Sequence, residues 1–150
     1  MIIPQKIKKG DGVRVISPSR SMGIISTGLR QIADARLNEL GLHLSFSKHA
    51  EEMDDFKSSS IASRIEDIHD AFRDPDITLI LTTIGGFNSN QLLQYLDYDL
   101  IRKNPKILCG YSDITVLQNA IYAKTGLVTY SGPHYSSFGE KLHFDHSLEY

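Results

Sequence analysis

One serine in a tight-turn pattern is the first residue of this sequence to suggest chemistry. Ser112 lies in Gly110-Tyr111-Ser112-Asp113, after an apolar strand-like run and before a helix-like run. A strand, a sharp turn and a helix can present a serine hydroxyl as a nucleophile, and backbone amides at the helix start can stabilise an oxyanion. The glycine that such turns usually carry two residues after the serine is replaced here by Ile114. Helix capping by Ser112 or Asp113 is the simpler interpretation of the pattern, and both interpretations stay open.

A pair of glycines, Gly85 and Gly86, follows the most apolar strand-like run. Such a pair can simply permit a turn with positive φ, or it can let backbone amides approach an anion or an oxyanion. The segment 85–90 is neither a P-loop nor a dinucleotide-binding fingerprint, because it lacks a Gly-Lys-Ser/Thr ending and a third glycine. The glycines alone therefore identify no ligand.

Histidine and cysteine give weaker signals. His134 follows the last strand-like run, in Ser131-Gly132-Pro133-His134, where it could contact a substrate. We expect three others to be ordinary surface histidines: His43, His49 and His69. His143 and His146 lack a third ligand, so the sequence predicts no metal site. The single cysteine, Cys109, excludes an internal disulfide and is expected to be a buried strand residue.

The positions of these residues depend on the strands and helices that precede and follow them. Apolar, β-branched runs predict five strands, at 13–16, 42–46, 77–82, 106–109 and 127–130. Apolar residues three or four positions apart predict four helices between them, one capped at 26–27, one capped at 58–60, one starting at 88–89 and one over 113–124. The alternation predicts an α/β fold, a doubly wound, mainly parallel five-stranded sheet of the flavodoxin-like kind. Ligands bind beyond the carboxyl ends of such strands, so the loops of Ser17, Gly85, Ser112 and His134 should open on one edge.

Composition and charge limit the class of protein. The 150 residues are 41% hydrophobic and 23% charged, which predicts one globular domain and excludes wholesale disorder. The 16 basic and 18 acidic residues give a net charge of −2, without the basic patch of a nucleic-acid binder. No apolar stretch reaches the ~18 residues of a membrane span, and no signal-peptide pattern opens the chain. We therefore expect a cytoplasmic protein that binds neither nucleic acid nor membrane.

Three motifs, in order, resemble the LD-carboxypeptidase family of serine peptidases. They are Ile84-Gly85-Gly86-Phe87-Asn88-Ser89-Asn90-Gln91-Leu92-Leu93, Pro105-Lys106-Ile107-Leu108-Cys109-Gly110-Tyr111-Ser112-Asp113-Ile114-Thr115 and Thr129-Tyr130-Ser131-Gly132-Pro133. The segments 9–13 and 17–19 also resemble the first strand and loop of that family. The segments 87–90 and 131–139 are most similar to the microcin C self-immunity branch, which hydrolyses the amide joining a C-terminal aspartate to a modified nucleotide. The murein branch instead cleaves an L,D-peptide bond in the cell-wall tetrapeptide.

The resemblance implies a Ser-Glu-His triad that uses no metal or organic cofactor. Ser112 matches the nucleophile, and the backbone amides of Asp113 and Gly86 match the oxyanion hole. The resemblance also implies substrate contacts at a set of strand-end residues: Gly85, Asn88, Ser89, Ser17 and His134. His134 matches a wall of the pocket and not the general base. The triad glutamate and histidine belong to the family's C-terminal domain, and the full-length proteins are generally homodimers.

The same resemblance divides the chain. We expect 1–140 to form the nucleophile-bearing domain and 141–150 to begin the linker to a C-terminal domain. Because a serine hydroxyl is a poor nucleophile without an oriented base, we expect this chain alone to be nearly inactive. Three hypotheses follow for the function: an aspartyl-nucleotide carboxypeptidase, a murein L,D-tetrapeptide carboxypeptidase, or a flavodoxin-like module that binds an anion or nucleotide without catalysis.

Overall fold

Strands and helices alternate along the chain, as the apolar patterns predict. The computed structural model describes residues 1–142 and 144–148. In chain order its elements are β1 (Gly12–Ile16), α1 (Thr27–Glu39), β2 (His43–Phe46), α2 (Ile61–Arg73), β3 (Ile77–Thr82), α3 (Tyr98–Lys103), β4 (Ile107–Gly110), α4 (Thr115–Thr125), β5 (Tyr130–Ser131), α5 (Tyr135–Phe138) and α6 (Asp145–Leu148). Short 3₁₀ turns lie at Met22–Ile24, Ser89–Leu92 and Ser112–Ile114.

The strands form one parallel sheet. Among the described residues its order is β2-β1-β3-β4-β5, and every neighbouring pair is parallel. This is the flavodoxin-like order, so the predicted fold is confirmed. Because all strands run the same way, the loops after β1, β3, β4 and β5 leave the sheet at the same edge.

Apolar side chains fill the space on both faces of the sheet. One core cluster lies under α2, α3 and α4 and includes Phe72, Ile80 and Leu117. The other lies under α1 and α5 and includes Val15 and Leu81. Residues of β3 contribute to both clusters, as expected for a central strand covered on both faces.

Two element predictions need correction. The strand predicted at 127–130 is reduced to β5, because Leu127 instead forms an isolated parallel bridge with Ile2 near the amino terminus. The third predicted helix is a 3₁₀ turn at Ser89–Leu92, followed by a separate helix, α3. The Asp97 side chain accepts the Leu100 amide and starts that new helix, which separates it from the turn.

The predicted caps of the two longer helices are confirmed. Ser26 accepts the Leu29 amide at the start of α1. Ser60 accepts the Ser63 amide at 3.0 Å at the start of α2. These bonds satisfy amides that have no partner inside the helix.

A single turn of helix, α6, lies within the segment 141–150, and the assignment of that segment as the start of a linker stays a prediction. α6 is preceded by Phe144, which is buried and lies with its ring centroid 4.9 Å from that of Phe138. Within 141–150, His143, Glu149 and Tyr150 are outside the described residues. No helix in 1–142 or 144–148 is long and apolar enough to cross a bilayer.

One predicted surface histidine is buried instead. His49 is 9% exposed, its backbone amide donates to the Asp67 carboxylate, and its ring lies against Glu52 and Glu66. The hydrogen bond with Glu52 is the largest of the effects that raise the pKa of His49. The prediction fails because the polar segment that carries His49 packs against α2 and does not extend into solvent.

Candidate active site

Ser112 has a strained backbone at the carboxyl end of β4. Its φ is +61°, in the left-handed region that residues with a Cβ rarely adopt. The turn is possible because β4 ends in Gly110, where a Cβ would lie 2.2 Å from Thr82 Oγ1. A strained serine between a strand and a helix is the local geometry of a nucleophile elbow.

Helix capping does not explain this serine. Tyr111 is the N-cap of the 3₁₀ turn and Ile114 is the N-cap of α4, and neither helix start has a side-chain cap bond. The Asp113 carboxylate accepts from Ser19 and Ser89, which belong to other loops. The capping interpretation left open by the sequence is therefore not what the structure shows.

The two glycines after β3 have different neighbours. A Cβ at Gly85 would lie 3.0 Å from Ser112 Cβ and 3.1 Å from Ser112 Oγ. A Cβ at Gly86 would lie 2.3 Å from Ser19 Oγ. The absence of a side chain at both positions lets the β3 loop approach the serine on one side and the β1 loop on the other. The predicted contribution of the Gly86 amide to an oxyanion hole stays a prediction.

His134 lies in the wall of the same site. It is 2% exposed, its Nδ1 lies 2.7 Å from Thr82 Oγ1, and its ring is stacked on Tyr111 with centroids 4.2 Å apart. Its Nε2 has no hydrogen-bond partner among the described residues and lies 3.6 Å from the position of a Cβ on Gly85. Burial lowers the pKa of His134 to about 4, so the ring is neutral near pH 7.

Asp113 joins the loops around the serine. Its Oδ2 accepts from Ser19 Oγ at 2.6 Å and from the Ser89 amide at 3.0 Å. Ser89 Oγ donates in turn to the Asp113 carbonyl at 2.8 Å. The loops after β1, β3 and β4 are therefore held together next to Ser112, as the shared sheet edge predicts.

Three residues predicted to contact substrate are engaged within the protein. Ser17 Oγ donates to the Ala50 carbonyl at 2.8 Å, and the side-chain Nδ2 of Asn88 donates to Ser58 Oγ at 2.8 Å. Ser17, Asn88 and Ser89 are all buried. Their side chains thus hold loops in place, and a direct substrate contact by these three residues stays a prediction that the hydrogen bonds do not favour.

A buried arginine that the sequence argument missed supports these loops. Arg64 of α2 is 3% exposed and donates to the carbonyl oxygens of Pro18 and Asn88 and to Gln91 Oε1. Burial lowers its pKa, and the charges of Asp54 and Asp113 oppose that change. The available signal was its position, because residue 64 falls on the same helical face as the apolar residues at 61, 65 and 68.

The residues around Ser112 line an open cleft with a volume of about 290 Å³. It is lined by Arg20, Ile84, Gly85, Gly86, Tyr111, Ser112 and His134. In the part of the chain that the structure describes, no hydrogen bond joins Ser112 Oγ to the nearby Asp113 carboxylate, which accepts from Ser19, or to the His134 ring, whose Nδ1 lies against Thr82. Among the described residues, no group of three or more histidine, cysteine or acidic side chains could hold a metal ion.

Cys109 is not the nucleophile of this site. It lies on β4 and is not among the residues that line the cleft, and its Sγ is 3.6 Å from the Pro133 carbonyl oxygen. Burial raises the pKa of its thiol to about 11, so the reactive thiolate is scarce at neutral pH. The predicted place on a strand is confirmed, whereas the predicted burial is only partial, because Cys109 is half-buried.

Known proteins are similar to this chain in sequence and fold. Residues 13–132 match the family described as the LD-carboxypeptidase N-terminal domain. The chain is 57% identical over 145 residues to the carboxypeptidase homologue YocD of Bacillus subtilis, covering 97% of this chain and 45% of YocD. It is 32% identical over 122 residues to the murein tetrapeptide carboxypeptidase of Pseudomonas aeruginosa, covering 81% of this chain and 38% of that protein.

Solved structures of related proteins have the same fold as this chain. An MccF-like protein from Bacillus anthracis superimposes with a TM-score of 0.99 at 63% identity, over 100% of this chain and 46% of that one. The microcin C7 self-immunity protein MccF, in complex with aspartyl sulfamoyl adenosine, superimposes with a TM-score of 0.92 at 38% identity, over 99% of this chain and 45% of that one. The chain therefore spans less than half the length of these proteins. With the family match over residues 13–132, these similarities show that the chain belongs to the LD-carboxypeptidase family and carries its N-terminal domain.

Proposed function

We propose that the full-length protein is a serine carboxypeptidase of the microcin-immunity type, which hydrolyses the amide between a C-terminal aspartate and a nucleotide. The observation that carries the proposal is the strained turn of Ser112, which places the hydroxyl in a cleft beside Gly85. Strain of this kind persists only where the surrounding structure holds it, and it is concentrated at functional sites.

In the proposed reaction, Ser112 Oγ attacks the acyl carbon of the aspartate. The oxygen–carbon bond forms, the carbon–nitrogen bond breaks, and the hydroxyl proton reaches the leaving nitrogen through the base. Water then attacks the ester and releases the peptide acid, and Ser112 recovers its proton. The backbone amides of Asp113 and Gly86 stabilise the oxyanion in both steps. The family resemblance assigns the base and its orienting carboxylate to a C-terminal domain.

The choice of an aspartyl-nucleotide substrate is supported by the relatives. MccF has been solved with aspartyl sulfamoyl adenosine, and the chain matches an MccF-like protein over its whole length. A murein L,D-tetrapeptide is the second candidate substrate, favoured by the similarity to a murein tetrapeptide carboxypeptidase. Because the chain spans less than half of these proteins, the substrate, a cytoplasmic location and a homodimer are all proposals.

Parallel assays of the full-length protein test this proposal. One measures release of nucleotide from an aspartyl-nucleotide amide, and the other measures release of D-alanine from a murein tetrapeptide. We expect kcat/KM to be higher for the nucleotide substrate and turnover of both to require Ser112. Faster cleavage of the tetrapeptide would transfer the assignment to the murein branch. Binding of the nucleotide without turnover would instead favour the non-catalytic module.

A further inference from the structure

One cation at the cleft, Arg20, makes no side-chain hydrogen bond or ion pair with the described residues. Arg20 is exposed, follows β1 and lines the same cleft as Ser112. Each of the six other arginines donates at least one side-chain hydrogen bond: Arg14, Arg30, Arg36, Arg64, Arg73 and Arg102. Within residues 1–142 and 144–148, the Arg20 guanidinium has no such bond and no carboxylate within 4 Å.

The backbone that carries Arg20 is held in place. Its carbonyl accepts from Thr83 Oγ1 at 3.2 Å, and the next amide, that of Ser21, donates to the Lys57 carbonyl at 2.8 Å. The preceding residue, Ser19, is bound to Asp113. The backbone at Arg20 is therefore fixed on both sides. The hydrogen bond from the neighbouring Ser19 to Asp113 connects it to the turn that carries Ser112.

The side chain of Arg20 lies beside Gly86 and Phe87 at the cleft. Its Cγ would be 3.0 Å from a Cβ on Gly86, and its guanidinium carbon lies 5.8 Å from the centroid of the Phe87 ring. A guanidinium over an aromatic face keeps its N–H edge free to donate in the plane. Arg20 thus presents up to five donors beside Ser112 without an acceptor from the described protein.

We propose that Arg20 binds an oxyanion of the substrate next to the scissile amide, and so determines which amides the cleft accepts. This inference rests on the proposed function and names the substrate chemistry of that site. A planar guanidinium matches a carboxylate or a phosphate-type group with two parallel hydrogen bonds. The oxyanion is either the phosphate-type group of a leaving nucleotide or the terminal carboxylate of a leaving amino acid.

Kinetics of the full-length protein with Arg20→Gln test this role. The anionic substrates are an aspartyl-nucleotide amide and a murein tetrapeptide. Each matched control keeps the other charges of its substrate and lacks only the anion of the leaving group: an aspartyl-nucleoside amide without phosphate, and a tetrapeptide whose terminal carboxylate is amidated. We expect KM for the anionic substrate to rise about 10- to 100-fold, because hydrogen bonds to charged groups carry most of the contact, with kcat changed only a few-fold. Arg20→Lys should restore part of the loss. The matched control is Arg73→Gln, which lies on α2 and pairs with Asp70.

The two substrates distinguish the possible sources of the oxyanion. An increase in KM for the nucleotide substrate alone assigns the phosphate-type group, and an increase for the tetrapeptide alone assigns the terminal carboxylate. An equal effect on an anionic substrate and its matched control, or no effect on either, overturns the inference. If Ser112→Ala leaves turnover unchanged, the proposed function fails first, whatever Arg20 does. Calorimetry of AMP binding to the Ser112→Ala protein, with and without Arg20→Gln, reads the contact independently of turnover.

Discussion

Ser19 Oγ donates a 2.6 Å hydrogen bond to Asp113 Oδ2 and thereby joins the loop after β1 to the residue that follows Ser112. The same oxygen accepts the Ser89 amide from the loop after β3. Three strand-end loops therefore meet at one carboxylate, whose own backbone amide is the proposed oxyanion donor. A bond network of this kind fixes the direction of that amide before substrate arrives.

Removing the Asp113 carboxylate should loosen the turn. We expect Asp113→Ala to lower the free energy of unfolding by about 2 kcal/mol, because two donors lose a charged acceptor. kcat should fall with it. Asp113→Asn should retain most of both, since its amide oxygen can accept the same two donors. Urea unfolding followed by circular dichroism measures the stability, and steady-state kinetics measures kcat.

The control for this prediction is Asp99→Ala, which removes an exposed carboxylate paired with Arg102 on α3. Surface ion pairs contribute little, so its effect should stay below about 1 kcal/mol. If Asp113→Ala proves as harmless as Asp99→Ala, the carboxylate does not hold the loops together.

Relief of strain at Ser112 should stabilise the protein while abolishing catalysis. Its φ of +61° is easy for glycine and unfavourable for a residue with a Cβ. Ser112→Gly should raise the free energy of unfolding by about 0.5–1 kcal/mol, after the larger entropy loss of glycine is subtracted. Ser112→Ala keeps the Cβ and should not gain this stability.

Lys57 provides a matched comparison, because its φ is +62° and it lies in the polar loop that precedes α2. Lys57→Gly should stabilise the protein to a similar extent without loss of turnover. A destabilising Ser112→Gly beside a stabilising Lys57→Gly would contradict the interpretation of strain at the serine.

His134 should make stability depend on pH in the acid range. Burial lowers its folded-state pKa to about 4, below its usual 6.5 in the unfolded chain, so the unfolded state binds more protons between these values. Its contribution to stability is complete above about pH 6.5 and is lost as the pH falls toward 4. His134→Gln should remove a slope of up to about 1.4 kcal/mol per pH unit in that window.

His49 should give the opposite sign. Its folded-state pKa is raised, mainly by its hydrogen bond with Glu52, so its contribution is complete below about pH 6.5 and is lost as the pH rises through the folded value. The free energy of unfolding of each variant should be plotted against pH from 4 to 8. The plot for His134→Gln should diverge from the parent in slope at the acid end, and the plot for His49→Gln at the alkaline end. Parallel curves for parent and His134→Gln between pH 4 and 6.5 would rule out a neutral buried ring.

Gly85 should be intolerant of a methyl group for reasons of catalysis. An alanine Cβ would lie 3.1 Å from Ser112 Oγ, so the hydroxyl or the loop must shift by a few tenths of an ångström. We expect Gly85→Ala to lower kcat by about 10-fold or more, since small displacements of reacting groups are costly. Gly28→Ala on α1, where a Cβ would meet nothing within 4 Å, should leave kcat unchanged. Equal kcat values for the two variants would mean that Gly85 does not confine the serine.

The sequence predicts features that depend on local pattern better than those that depend on distant partners. The apolar run of β3 and the loops after the strands are local features, and they place Gly85, Ser112 and His134 at one cleft. The shortened β5 could not be foreseen, because its neighbouring residue Leu127 pairs with Ile2 from the far end of the chain.

Side-chain roles at the site show the same limit. Asn88 and Ser89 lie in a motif that predicts substrate contact, yet their partners are Ser58 and Asp113, which only the folded chain brings near. His49 likewise becomes buried through acidic residues on α2 that are 17 and 18 positions away. The type of a residue and its spacing indicated the chemistry of the site, whereas the identity of its partners required the fold.

The central claim is that Ser112 is the nucleophile of a carboxypeptidase, and the most direct measurement is kcat/KM of the full-length protein and its Ser112→Ala variant on an aspartyl-nucleotide amide. A serine nucleophile predicts a loss of at least about 10⁴-fold, with a circular dichroism spectrum that matches the parent. Turnover by Ser112→Ala at the parent rate would contradict the claim.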